Sequence, residues 1–148
     1  MAEASSAKKS EAKVVKKINA SADDLWQVLS NFSSIQPGGP IEAVTYEGEG
    51  VGMIRNITMG GGTVVERLDI HDSAARTFAY SIINDDSPLP FSDYSATVQI
   101  SDDGDGTSTV DWTGTFVPRG VPEEQAINTA TGIYAGAIKG AKLALEAD

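Results

Sequence analysis

The chain contains no cysteine, which excludes disulfides, thiolate nucleophiles and zinc–thiolate sites together. It has one histidine, His71, and one imidazole without placed partners makes no metal site. No run of 18 apolar residues occurs, so no membrane span is expected. Basic residues are scarce, 11 against 21 acids, and five of them (Lys8, Lys9, Lys13, Lys16 and Lys17) precede Ile18. Beyond that point 6 basic and 19 acidic residues leave a net charge of −13. Such a body repels phosphate backbones, so nucleic acid is not an expected partner. The start of the chain lacks the apolar stretch of a secretory signal. Residues 1–12 are read as a disordered leader and residues 13–147 as one domain. The absence of cysteine and of a signal fits a cytoplasmic protein, expected to be a monomer or weak homodimer.

The composition that remains is globular. Of the 148 residues, 41% are hydrophobic and 22% charged, enough apolar material for one core. Alternation of Val14, Lys16 and Ile18 with Lys13, Val15 and Lys17 predicts a first strand, with lysines suited to a sheet edge. Ser21 followed by Asp24 reads as a helix N-cap with an acid three residues on. A short helix through Leu25, Trp26, Val28 and Leu29 is expected to reach about Phe32. It breaks at Gln36-Pro-Gly-Gly-Pro40. The period then becomes two, predicting strands over 41–47, 53–59, 63–71, 77–83, 94–101 and 108–117, joined by turn-forming sequences. Pro122 suits a helix start, and an apolar stripe from Ile127 to Leu145 predicts a long helix over 123–147. The fold class is therefore α+β, a seven-stranded antiparallel sheet curved around a long C-terminal helix. Gly132, Gly136 and Gly140 stand four apart on that helix, at roughly 1 kcal/mol each against alanine. They mean either close packing on the sheet or space kept for a ligand.

Three polar residues share the parity of apolar neighbours. Arg55 lies in phase with Met53, Ile57 and Met59. Glu66 lies in phase with Val64, Leu68 and Ile70. Tyr94 lies in phase with Ala96, Val98 and Ile100. Strand alternation aims all three inward. A two-residue turn at Gly60-Gly61 would set Met59 opposite Gly62, Ile57 opposite Val64 and Arg55 opposite Glu66. A buried ion pair gains little stability after desolvation, so it suggests either an inward salt bridge fixing register or the polar end of a cavity. In a cavity, Arg55 would hold an anionic or carbonyl oxygen, Glu66 would act as a base or hydrogen-bond acceptor, and Tyr94 would donate a hydrogen bond or a proton. His71 shares the parity of Arg67 and Asp69 and is expected on the solvent face. Asp102-Asp-Gly-Asp-Gly106 lacks the spacing of a calcium loop and reads as an acidic turn.

Gly50-Val-Gly-Met-Ile-Arg55, Glu66-Arg-Leu-Asp-Ile-His-Asp72, Asp93-Tyr-Ser-Ala-Thr97 and Ala22-Asp-Asp-Leu-Trp26, in this order, resemble the START-like (SRPBCC, helix-grip) superfamily. The branch they are most similar to is the polyketide cyclase/dehydrase and lipid-transport family, whose relatives include plant abscisic-acid receptors and lachrymatory-factor synthase. The resemblance spans about Lys13 to Leu145. It implies a sheet gripping the C-terminal helix around a ligand cavity, with Arg55, Glu66 and Tyr94 at the family's functional positions. Met59-Gly-Gly-Gly-Thr63 and Ser87-Pro-Leu-Pro-Phe91 depart from the receptors' gate and latch loops, which counts against hormone sensing and phosphatase binding.

The expected function is binding of a small hydrophobic molecule with one polar oxygen, without cofactor or metal. The alternative is a cofactor-independent isomerase, cyclase or dehydratase in which Arg55, Glu66 and Tyr94 are catalytic. The expected cavity walls are Ile57, Met59, Phe78, Tyr80, Leu89, Phe91, Trp112, Ile127 and Tyr134. The Gly60-Gly-Gly62 and Ser87-Pro-Leu-Pro90 loops are expected to flank its mouth.

Overall fold

Alternating burial and glycine-bearing turns build one continuous sheet in the computed structural model, which describes residues 9–33, 35 and 37–146. The strands are β1 (Ser10–Ile18), β2 (Ile41–Glu47), β3 (Ile54–Met59), β4 (Gly62–Asp72), β5 (Thr77–Ile82), β6 (Phe91–Asp102) and β7 (Ser108–Pro118). They are ordered β1-β7-β6-β5-β4-β3-β2, and every pairing is antiparallel. Helix α1 (Ala22–Leu29) carries the chain from one edge towards the other, and α2 (Glu123–Glu146) closes the fold. Among the described residues no helix is long and apolar enough to cross a membrane.

The β3–β4 hairpin follows the register that the glycines predict. Gly60 and Gly61 have φ of 56° and 81°, the left-handed pair that a type I′ turn requires. Met59 pairs with Gly62, Ile57 with Val64 and Arg55 with Glu66.

The first strand begins at Ser10, earlier than the leader boundary drawn at residue 12. Ala12 is buried in the core, and Ser10 donates a 2.6 Å hydrogen bond to Glu123 in the first turn of α2. Small residues carried this contact and gave no hydrophobic signal. The remainder of the proposed leader, residues 1–8, lies outside the described residues, as does Ala147.

A bulge also corrects face parity on β4. The register shifts between Leu68 and Ile70, and one extra residue moves every later side chain to the other face. Ile70 is thus 51% exposed. His71 pairs with buried Phe78 and lies 5.1 Å from Trp26, ring centre to ring centre. A second shift lies between Ser92 and Ser95, where Asp93 has φ 52°. It lets Phe91 and Tyr94, three residues apart, both point into the core.

Ser21 caps α1 by accepting from the backbone N–H of Asp24 at 3.1 Å. The helix ends at Leu29 rather than near Phe32, where Ser30 closes the last turn onto the Trp26 carbonyl. On α2, Ala126, Ala130, Tyr134, Ile138 and Ala141 form the buried stripe. This stripe seats the helix on β1, β7 and α1. The half of the sheet holding β2, β3 and β4 curves past the helix and leaves a gap beneath it.

Candidate functional site

The gap is an apolar cavity of about 670 Å³, within the ordinary range for small-molecule sites. The sheet supplies Ile57 and Met59 from β3, Val64 from β4, Tyr80 from β5 and Trp112 from β7. The helix supplies Thr129, Gly132, Ile133, Gly136 and Ala137. A Cβ built at Gly132, Gly136 or Gly140 meets nothing within 4 Å. The helix glycines therefore keep space open and do not pack closely on the sheet. Gly140 faces a smaller recess of about 250 Å³ that shares Arg55, Trp112 and Ala137 with the main cavity.

Arg55 and Glu66 are the charged groups on the main cavity's wall. Arg55 Nε donates to Glu66 Oε1 at 2.6 Å, and the two residues are 9% and 7% exposed. Arg55 Nη1 also donates to the Phe32 carbonyl at 3.1 Å. Its Cζ stands 3.8 Å above the Phe32 ring centre and 5.5 Å from that of Tyr80. The early end of α1 makes this possible, because Phe32 lies past the helix with its carbonyl free. The guanidinium is thus held by one carboxylate, one carbonyl and two aromatic faces. The cavity has an apolar body and one polar wall of fixed geometry.

Tyr94 hydrogen-bonds neither Arg55 nor Glu66. Its hydroxyl lies 3.1 Å from Tyr80 Oη and 2.6 Å from Tyr134 Oη, and Trp112 Nε1 donates to Tyr80 Oη at 3.3 Å. Burial pushes all three phenols up, Tyr134 to about 12. The hydroxyls therefore stay protonated near neutral pH. Tyr94 sits behind Tyr80 and not on the cavity wall.

Of the expected wall residues, Ile57, Met59, Tyr80, Leu89 and Trp112 line the main cavity, and Phe78 lines the recess. Three do not. Phe91 stacks on Tyr94 and Phe116 inside the core, because the β6 bulge turns it there. Tyr134 belongs to the buried stripe of α2, and Ile127 packs beside that stripe. Their helical phase differs from that of Gly132 and Gly136. Residues outside the sequence-based set include Ile35, Pro40, Asn128 and Thr129 on the wall, and Phe32 beneath Arg55. The one local signal was the interrupted helix at Pro37-Gly-Gly-Pro40.

The two expected mouth loops lie at the same end of the sheet. A Cβ at Gly62 would stand 3.3 Å from Pro88 Cδ, while Met59 and Leu89, beside these loops, reach the cavity. Arg119 fixes the proline loop by donating to the carbonyls of Asp85 at 2.7 Å, Leu89 at 2.8 Å and Ser87.

A family model described as polyketide cyclase/dehydrase and lipid transport matches residues 9–146. No curated protein matches the sequence. Among solved structures, the protein XoxI from Bacillus cereus is 30% identical, with 93% of this chain and 96% of that chain covered at a TM-score of 0.80. An uncharacterized protein from Bacillus thuringiensis is 30% identical, with coverages of 92% and 98% and a TM-score of 0.77. Truncated norcoclaurine synthase from Thalictrum flavum shares the fold at 18% identity, with coverages of 95% and 96% and a TM-score of 0.78.

Proposed function

The chain belongs to the polyketide cyclase/dehydrase and lipid-transport family, and from that premise we propose that it holds a small hydrophobic molecule, bearing one polar oxygen, between the sheet and α2. The observation that carries this reading is a cavity of about 670 Å³ with a single charged pair on its wall. Apolar area supplies affinity there, and the polar wall supplies orientation. A second reading, proton transfer without cofactor, is favoured by the Glu66 carboxylate and the Tyr80 hydroxyl sharing that wall. In it Glu66 moves a proton, Arg55 offsets developing negative charge, and Tyr94 acts through Tyr80. Conversion of the bound molecule would separate turnover from storage.

Glu66→Gln tests the site against a merely structural pair. Arg55 keeps the Phe32 carbonyl, two ring faces and access to the cavity, so the loss of stability is expected to be about 1 kcal/mol. Affinity for 2-naphthol, an apolar ring with one hydroxyl, is expected to fall about tenfold as the charged acceptor disappears. Denaturant midpoints and a binding titration read the two effects. A stability loss of about 3–5 kcal/mol, the cost of breaking a sealed buried pair, with affinity falling only in step, would contradict the proposal.

A further inference from the structure

The hydroxyls of Tyr80, Tyr94 and Tyr134 carry three protons but make only two contacts with one another. One proton must therefore go elsewhere, and the surroundings decide which. Indole N–H is a donor only, so the Trp112 contact is received by the Tyr80 oxygen. If the bonds ran from Tyr80 through Tyr94 to Tyr134, the spare proton would sit on Tyr134. That hydroxyl is fully buried. It lies so close to Gly114 that a Cβ there would stand 1.9 Å away. Among the described residues its only hydrogen-bond partner is Tyr94. A buried donor stranded in this way is costly. If Tyr80 and Tyr134 both donated to Tyr94, the stranded proton would be that of Tyr94, which is likewise buried and has no third partner among the described residues. If the bonds run from Tyr134 through Tyr94 to Tyr80, the spare proton sits on Tyr80, which lines the cavity together with Glu66. Water or a bound molecule can accept it there.

We propose that Tyr80 presents its hydroxyl proton to the cavity as a hydrogen-bond donor, with Trp112 and Tyr94 occupying its oxygen from behind. The bound molecule then carries an oxygen acceptor, a carbonyl by the simplest chemistry, on the side facing the polar wall. Tyr94 and Tyr134 are positioning residues that set the direction of the bonds. Burial keeps Tyr80 protonated across the neutral range, so the donor is present whenever the cavity is filled. This inference rests on the binding reading above and adds the chemical class of the ligand.

Two probes of matched shape test it on the full chain: 2-acetylnaphthalene, which has a carbonyl acceptor, and 2-ethylnaphthalene, which has none. Tyr80→Phe is expected to weaken the ketone about tenfold, the worth of one hydrogen bond, and to leave the hydrocarbon within about twofold. Unchanged hydrocarbon affinity also reports an intact cavity. The infrared carbonyl stretch of the bound ketone gives a readout that packing alone does not move. It is expected to be lowered by hydrogen bonding in the parent and to rise in Tyr80→Phe. Equal weakening of both probes in Tyr80→Phe, or a stretch in the parent equal to that in hydrocarbon solvent, overturns the proposal. If the parent binds the hydrocarbon but gives the ketone no hydrogen bond, the cavity reading stands and the Tyr80 assignment falls. If it binds neither probe, both fall.

Discussion

Gly114→Ala is expected to cost about 3 kcal/mol of stability, the upper part of the usual range for overpacking. The added Cβ would stand 1.9 Å from Tyr134 Oη and 3.1 Å from its Cζ. Tyr134 has no void to retreat into, since it is fully buried and stacks on Trp112 with ring centres 5.2 Å apart. Either α2 must lift from β7 or the ring must leave its contact with Tyr94. Removing the offending oxygen should relieve part of the strain. Gly114→Ala combined with Tyr134→Phe is expected to be more stable than the sum of the two single losses, since neighbours in contact are not additive. Chemical denaturation of the four proteins measures this coupling. A loss below about 1 kcal/mol for Gly114→Ala, the size of an ordinary substitution, would mean that α2 does not sit so close to the sheet.

Gly136→Leu should have the opposite signature, with binding lost and stability kept. No atom lies within 4 Å of a Cβ at this position, and glycine inside a helix costs roughly 1 kcal/mol against better helix formers. Stability is therefore expected to hold or to rise by up to about 1 kcal/mol. The leucine side chain occupies volume opposite Ile57 and Trp112, so affinity for 2-ethylnaphthalene should drop by more than about tenfold. Gly140→Ala serves as the control, because it gains helix propensity beside the smaller recess and leaves the main cavity open. Thermal midpoints and a binding titration suffice. If Gly136→Leu destabilises the fold, the helix glycines pack against something in solution. If it leaves affinity untouched, the hydrocarbon binds elsewhere.

Where the sequence could be read, local chemistry and burial agreed. The pairing of Arg55 with Glu66 followed because Gly60-Gly61 can adopt two successive positive φ values and because the same register puts both apolar sets on one face. The strand pattern and the long helix followed from a change of period at Ile41 and at Pro122. What escaped reading depended on events with no period. Bulges near Ile70 and Asp93 break the alternation, so Ile70 left the core face and Phe91 left the cavity wall although their strands were found. Tyr94 points inward as its phase with Ala96 and Val98 predicts, but it meets Tyr80 and Tyr134 and not the ion pair. The contact between Arg55 and Phe32 needs a helix that stops at Leu29 and a loop that returns across β3. The three tyrosine hydroxyls meet only because β5, β6 and α2 converge above Gly114. An isolated glycine within β7 was the sole local hint, since such a residue often marks a close approach.

The account stands on an apolar molecule entering the space between the sheet and α2. A methyl-resolved NMR titration of the full chain with 2-ethylnaphthalene tests that most directly. Saturable shifts are predicted at the methyl groups of Ile57, Met59, Leu89 and Ile133, which surround the cavity. Val15, Val51 and Ile70, which are exposed on the outside of the fold, should stay unmoved. Shifts confined to those three surface residues, or no saturable shift at Ile57 and Ile133, would contradict it.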